Sequence, residues 1–273
     1  MRFSTSLPAI PLVGLLAALA GAATPAPAQM APPTWGNPDQ PWGTRRPVTA
    51  ADQARIASYR SGHRAPAFQT DFTDAAALQL QWALQSDDHP DLQACRQPQS
   101  VIATPAGLEL KTLAAVGKCH ARWSTGFLIS RSSYSYGFFE ARFRAADISG
   151  LNNAFWLVSA SHFEIDVAEV HEPNDLGMSL HDWTTSSGTS VGFDSKLKGD
   201  FSRGFHDFGV LWTPTDIVYE VDGRAIAAIA THGAIDKPVD IRFSTALAPF
   251  AGKVPADPAG HAMSVRSLRV YPL

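Results

Sequence analysis

The sequence has 273 residues and a formal net charge of −3 at pH 7, with 45% hydrophobic and 17% charged residues. So slight a charge gives no electrostatic draw toward nucleic acid or an anionic membrane surface, and the apolar content excludes an intrinsically disordered chain. The length is compatible with one all-β domain behind a leader segment.

Taken in chain order, Met1-Arg2-Phe3 precedes an apolar stretch from Ala9 to Ala20 and a segment of small residues and prolines. One basic residue, a short apolar run and Ala26-Pro27-Ala28 describe a secretory signal peptide over residues 1–28, with cleavage after Ala23 as the rival. Such a leader predicts a secreted or periplasmic protein with no membrane attachment after cleavage, and no later segment is apolar enough to span a bilayer. Residues 29–65 form a Pro-rich N-terminal segment, in which Ala50 to Tyr59 can form one short helix and Trp35 and Trp42 suggest packing onto the domain. The two cysteines, Cys95 and Cys119, are expected to pair as a disulfide in an exported chain, and are too few for a zinc-finger-type site.

From residue 66 to the end, short alternating segments separated by Gly and Pro turns predict a β-sandwich. Leu108 to Lys111 alternates. Phe139, Ala141 and Phe143 share one face of a strand whose other face carries Glu140, Arg142 and Arg144. Ala154 to Val158 reads as a buried strand, Asp222-Gly223 as a two-residue hairpin turn, and Ser264 to Tyr271 as a closing alternating strand. Trp212 is expected in the core.

The most informative stretch is Glu164-Ile165-Asp166-Val167-Ala168-Glu169. Acidic residues are depleted in strands, so three in six positions interleaved with Ile and Val call for explanation. Glu164 and Asp166 project from one face. Glu169, three beyond Asp166, belongs to the opposite face unless a β-bulge near Val167-Ala168 adds a residue and returns it. Same-face neighbours lie roughly 6–7 Å apart, and glutamate side chains can converge from two such steps away. Retaining glycoside hydrolysis needs two carboxyl groups about 5–5.5 Å apart, one to attack the anomeric carbon and one to protonate the leaving oxygen. Asp166 can hydrogen-bond the nucleophile and, by its charge, keep Glu169 protonated. The competing reading is a solvated strand face carrying acids by chance.

Trp156 and Trp183 are candidate sugar-stacking residues, Trp123 is a weaker one, and His181 is a candidate neighbour of the carboxylates; for each the alternative is a purely structural role. His162, His171 and His181 match no metal-ligand spacing, so no catalytic metal is assigned. No Gly-x-Ser-x-Gly elbow, P-loop or Gly-x-Gly-x-x-Gly is present.

Several segments, in order, resemble glycoside hydrolase family 16, the laminarinase, agarase and carrageenase group. These are Tyr134 to Phe143, Ala154-Phe155-Trp156-Leu157-Val158, Glu164 to Glu169, Ser179-Leu180-His181-Asp182-Trp183, and Phe205 to Pro214 followed by Val221-Asp222-Gly223. The resemblance implies an all-β, concanavalin A-like jelly-roll with a concave sugar-binding cleft over residues 66–273. It implies a retaining endo-β-glycosidase, in which Glu164 is the nucleophile, Asp166 its assistant and Glu169 the acid/base, acting without a cofactor on a β-1,3-glucan-type or galactan-type polysaccharide. A structural calcium ion is compatible with the family, without assignable ligands, and the chain is expected to act as a monomer. One departure stands out: Asn152 and Asn153 occupy positions where the family often has Trp-Pro. A glycan transglycosylase and a non-catalytic carbohydrate-binding protein on the same fold are the alternatives.

Overall fold

The computed structural model describes residues 39–273; the signal-peptide segment, Trp35 and the start of the Pro-rich segment lie outside the described residues. Two antiparallel sheets pack face to face as a sandwich, as the alternation predicts, in the jelly-roll form that the resemblance implies. The cleft sheet runs, edge to edge, Thr189–Lys196, Asp175–Asp182, Phe163–His171, Leu151–Ser159, Val239–Leu247, Phe127–Ser130 and Trp82–Leu84. The outer sheet is built around Gly137–Arg144, flanked by His206–Trp212 and Ala262–Pro272. The core between them takes the inward half of each strand: Phe139, Ala141 and Phe143 from the outer sheet, and Phe155, Leu157, Ile165 and Val170 from the cleft sheet. Trp212 is fully buried in this core.

Alternation does not by itself account for the outer sheet's other face. Phe138, on the side opposite Phe139, is also fully buried. The reason lies in the Pro-rich segment. Its helix, Ala50–Arg60, starts at a capping box between Thr49 and Asp52 and lays Ile56 and Tyr59 over Phe138 and Tyr271. The short strand Thr44–Arg46 pairs with Arg224–Ala230, so residues 44–60 are built into the sandwich. Trp42 packs edge-on against Phe163 at the head of the carboxylate strand. Among the described residues, no helix is long and apolar enough to cross a membrane.

Two elements give little periodic signal. The helix Ala75–Gln81 has seven residues and is capped by Asp74, which accepts from the Ala76 and Ala77 amides. A three-stranded patch joins Cys95–Arg96, Trp123–Thr125 and Leu113–Ala114, with the first pair parallel. Strands of two or three residues are too short to carry an alternation. The Cys95–Cys119 disulfide pins this patch, with the two Cα atoms 6.0 Å apart.

Candidate active site

The strand Phe163–His171 lies third in the cleft sheet, between Leu151–Ser159 and Asp175–Asp182. Its register contains the expected bulge. On one side Asp166 pairs with Trp156 and Ala168 with Phe155, so Val167 has no partner in that register. On the other side Asp166 pairs with Ser179 and Glu169 with Gly177, so Val167 and Ala168 together oppose Met178. Ile165, Val167, Ala168 and Val170 are all buried in the core. The extra inward residue leaves Glu164, Asp166 and Glu169 on the cleft face. There they line one cavity of about 220 Å3 with Asn152, Trp156 and Ser244.

The three acids sit in different surroundings. Asp166 is buried; its Oδ2 accepts from the Ser179 hydroxyl at 2.5 Å and lies 2.9 Å from His181 Nε2. Ser179 is itself held from behind, because the buried Tyr219 hydroxyl reaches from the outer sheet and donates to the Ser179 carbonyl at 2.8 Å. Carboxylate oxygens of Glu164 and Asp166 and a His181 ring nitrogen all lie within 4.8 Å of one another. Burial, and then the charge of Asp166, push Glu164 up to about 8. The same two causes, in the same order, push Glu169 up to about 7, opposed by the amide of Asn152, which donates from Nδ2 to Glu169 Oε1 at 2.6 Å. The charge of Glu169 adds a smaller rise to Glu164, while His181 opposes it. Burial disfavours the charged form of His181, but Asp166 and then the two glutamates outweigh it and raise its pKa.

The aromatic candidates separate. Trp156 lines the cavity, with Phe127 stacked on it at 5.6 Å, the Arg242 guanidinium 4.7 Å from its ring centroid and its Nε1–H donated to Ser244 Oγ. Trp183 is exposed and stacks parallel on His181 at 5.3 Å. The turn that carries Gly188 lies against it so closely that a Cβ there would fall 2.4 Å from the ring. Trp123 is not brought to the carboxylates. It packs with Val254 against the buried cluster of Ala94, Ile148, Leu151 and Leu247, with Arg122 over its ring. His162 and His171 lie at opposite ends of the carboxylate strand, and neither joins His181 in a ligand set.

Other cleft residues carry no sequence signal. His89 and Leu92, on a loop, and Arg96, at the end of the strand Cys95–Arg96, wall the cavity; the disulfide and the Gln93 amide donating to the Leu247 carbonyl tie this stretch down. The exposed Phe250 lines this cavity and a neighbouring one of about 190 Å3, on the other flank of Glu169, that also contains His171, Asp175 and Asp194. These residues reach the site through loop geometry. Asn152, singled out as a departure, faces Glu169, whereas Asn153 is fully buried and bonds backbone atoms of Ala146, Leu151 and Val170.

Among the described residues, two sets of side chains come close enough to share a metal ion. One is Glu164, Asp166 and His181. The other includes Cys95 and Cys119, whose sulfurs are joined in the disulfide. Neither offers the all-oxygen shell that calcium takes.

Residues 90–262 match the family model described as glycosyl hydrolases family 16. The chain is similar to two endo-1,3-1,4-beta-glycanases of Rhizobium meliloti (strain 1021). EglC is 33% identical over 55% of this chain and 34% of its own length, and ExoK is 27% identical over 52% and 54%. The chain thus spans between about a third and about half of the length of these curated relatives. In fold it is similar to the laminarinase catalytic domain of Thermotoga maritima MSB8, with a TM-score of 0.68 at 15% identity over 77% of this chain and 98% of that one. It is likewise similar to the endo-beta-1,3-glucanase of Pyrococcus furiosus, with a TM-score of 0.67 at 19% identity over 77% and 94%.

Proposed function

The chain belongs to glycosyl hydrolase family 16, and from that premise we propose that it is a retaining endo-β-glycosidase that cleaves a β-linked glucan by double displacement. The observation that carries this reading is the bulge at Val167-Ala168, which turns Glu169 back onto the face of Glu164 and Asp166. The relatives named as 1,3-1,4-β-glycanases and laminarinases support a β-glucan rather than a galactan as the substrate.

In this reading Glu164, as its carboxylate, attacks the anomeric carbon, and the bond to the leaving oxygen breaks as Glu169 gives that oxygen its proton. A water then enters; Glu169 takes its proton, and the hydroxide formed attacks the glycosyl–Glu164 ester and releases the sugar with its original configuration. Asp166, fixed by Ser179 and His181, acts on both neighbours through its charge and does not itself react. Trp156 and Trp183 flank the site as the sugar-facing aromatics. The disulfide supports a working place outside the reducing cytoplasm, in keeping with a secreted or periplasmic location.

The test is a panel of laminarin, mixed-linkage β-glucan, agar and carrageenan, read by new reducing ends and product length. Release of short oligosaccharides from a β-glucan is expected, with Glu164→Gln and Glu169→Gln each lowering turnover by at least about 100-fold. No new reducing ends on any of them sinks the hydrolase reading, and chain-length redistribution without net hydrolysis replaces it with transfer.

A further inference from the structure

Asn152 is buried, 6% exposed, and makes one side-chain contact of consequence: its amide N–H donates to Glu169 Oε1 at 2.6 Å. Its other amide atom, Oδ1, is buried without a hydrogen-bond partner. A buried acceptor left unpaired costs stability, and such groups call for an explanation outside folding. A leucine has the same branched heavy-atom skeleton with no unpaired oxygen. The neighbouring Asn153, by contrast, bonds through both ends of its amide to backbone and has the signature of a structural asparagine. What Asn152 supplies that an apolar residue does not is its donor on the carboxyl of Glu169.

We propose that Asn152 is a positioning residue for Glu169: its N–H occupies Oε1, so that the transferable proton resides on Oε2, and it stabilises the carboxylate that Glu169 becomes once that proton has left. This rests on the acid/base role of Glu169 given above. The opposite flank is consistent with it. Oε2 lies over Gly177, where even an added Cβ would come only to 3.7 Å, so the proton-bearing oxygen has open space beside it. During glycosyl transfer the Oε2–H bond breaks and an O–H bond forms on the leaving oxygen; the new carboxylate keeps the Asn152 bond. When water is activated the same proton position is refilled, and the amide has no need to move.

The charged and titratable groups around Glu169 come from every packed element. Glu164, Asp166 and His171 share its strand. Asp175 and His181 face it from Asp175–Asp182, and Asp194 from Thr189–Lys196. Arg242 stands on Val239–Leu247 over Trp156, and His89 and Arg96 lie across the cavity. Of the groups acting directly on Glu169, burial and Asp166 raise its pKa, while Asn152 and then His181 lower it. Removing the amide therefore has a defined sign.

The experiment titrates Glu169 by carboxyl 13C NMR in the full chain, assigned against Glu169→Gln, in wild type and in Asn152→Leu, Asn152→Ala and Asn152→Ser. Loss of the donor in the leucine and alanine variants is expected to move the Glu169 midpoint up by about one unit, while the serine variant retains part of the effect. The pH profile of kcat/KM should shift with it and kcat fall more than KM changes. Asn152→Leu should melt no lower than wild type, whereas a merely structural amide would lower the melting temperature and leave the midpoint in place. An unchanged or lowered midpoint in both the leucine and alanine variants overturns the proposal. The titration reads the contact whether or not a glycan is cleaved, so inactivity on the glycan panel counts against the enzyme reading alone.

Discussion

Glu164, Asp166 and Glu169 are chemically near-identical groups that their neighbours have made different. Asp166 holds a hydroxyl and an imidazole, Glu169 holds an amide, and Glu164 stands beside the charge of Asp166 on the same strand face. Because the charge of Asp166 raises both glutamates, Asp166→Asn should lower both. In the proposed mechanism Glu164 is ionised and Glu169 protonated for turnover, so both limbs of the pH–rate bell should move to lower pH, by roughly one unit, with kcat reduced about tenfold or more. A bell that stays in place or moves to higher pH contradicts the electrostatic role of Asp166. At this scale the three acids were legible because acids in an apolar strand are conspicuous. Trp183 was legible from the polar Ser179 and His181 on its face, and Trp156, whose face carries Ala154 and Val158, only through the family resemblance. Phe250, His89, Leu92 and Arg96 were not, since nothing local distinguishes a residue of a loop or a two-residue strand that faces a cleft from one that faces solvent. Trp123, next to the polar Arg122 and Ser124, gave the same local signal as a cleft tryptophan but packs against Leu151 and Leu247.

The element that matters most is the bulged strand. In one ladder Asp166 and Ala168 already pair with consecutive residues, Trp156 and Phe155; in the other the partners of Asp166 and Glu169, Ser179 and Gly177, are separated by a single residue, Met178. Deleting Val167 therefore leaves a regular strand in which Ile165, Ala168 and Val170 point inward and Glu164, Asp166 and Glu169 still point to the cleft. The deletion should fold, with stability lowered by about 1–3 kcal/mol for the lost buried valine, while activity falls at least tenfold because the bulge no longer aims Glu169. Thermal melting and reducing-end assays check the two halves separately; an unfolded chain, or undiminished activity, contradicts this account of the bulge. The bulge was readable from spacing because a period of two makes one surplus residue visible. The parallel pairing of Cys95–Arg96 with Trp123–Thr125 was not, because two- and three-residue strands carry no period and the disulfide alone hints that they meet.

At the scale of the molecule, the cleft sheet performs the chemistry and the outer sheet is covered by the N-terminal helix. Arg60, in its last turn, inserts its guanidinium between Glu140, Asp207 and the fully buried carboxylate of Glu220. Burial raises Glu220 well above the ordinary carboxylate range, and Glu140 adds to the rise, while Arg60 opposes both. Arg60→Ala removes the cation and leaves buried acids facing one another, which should cost about 3–5 kcal/mol and lower the melting temperature on the order of 10 °C. The kcat should stay within about twofold, because none of these groups touches the cleft; an unaltered melting temperature contradicts the fastening role. Composition and proline content hid this helix's purpose. Its presence could be read, but the pairing of Arg60 with acids 80 to 160 residues away is a property of the closed sandwich. The central claim, that Glu164 attacks and Glu169 exchanges the proton, is tested most directly by azide rescue of Glu164→Ala and Glu169→Ala on an activated aryl β-gluco-oligosaccharide. The account predicts an α-glycosyl azide from the Glu164 variant, by direct displacement, and a β-glycosyl azide from the Glu169 variant, through the intact nucleophile. The opposite pairing of anomers would contradict it.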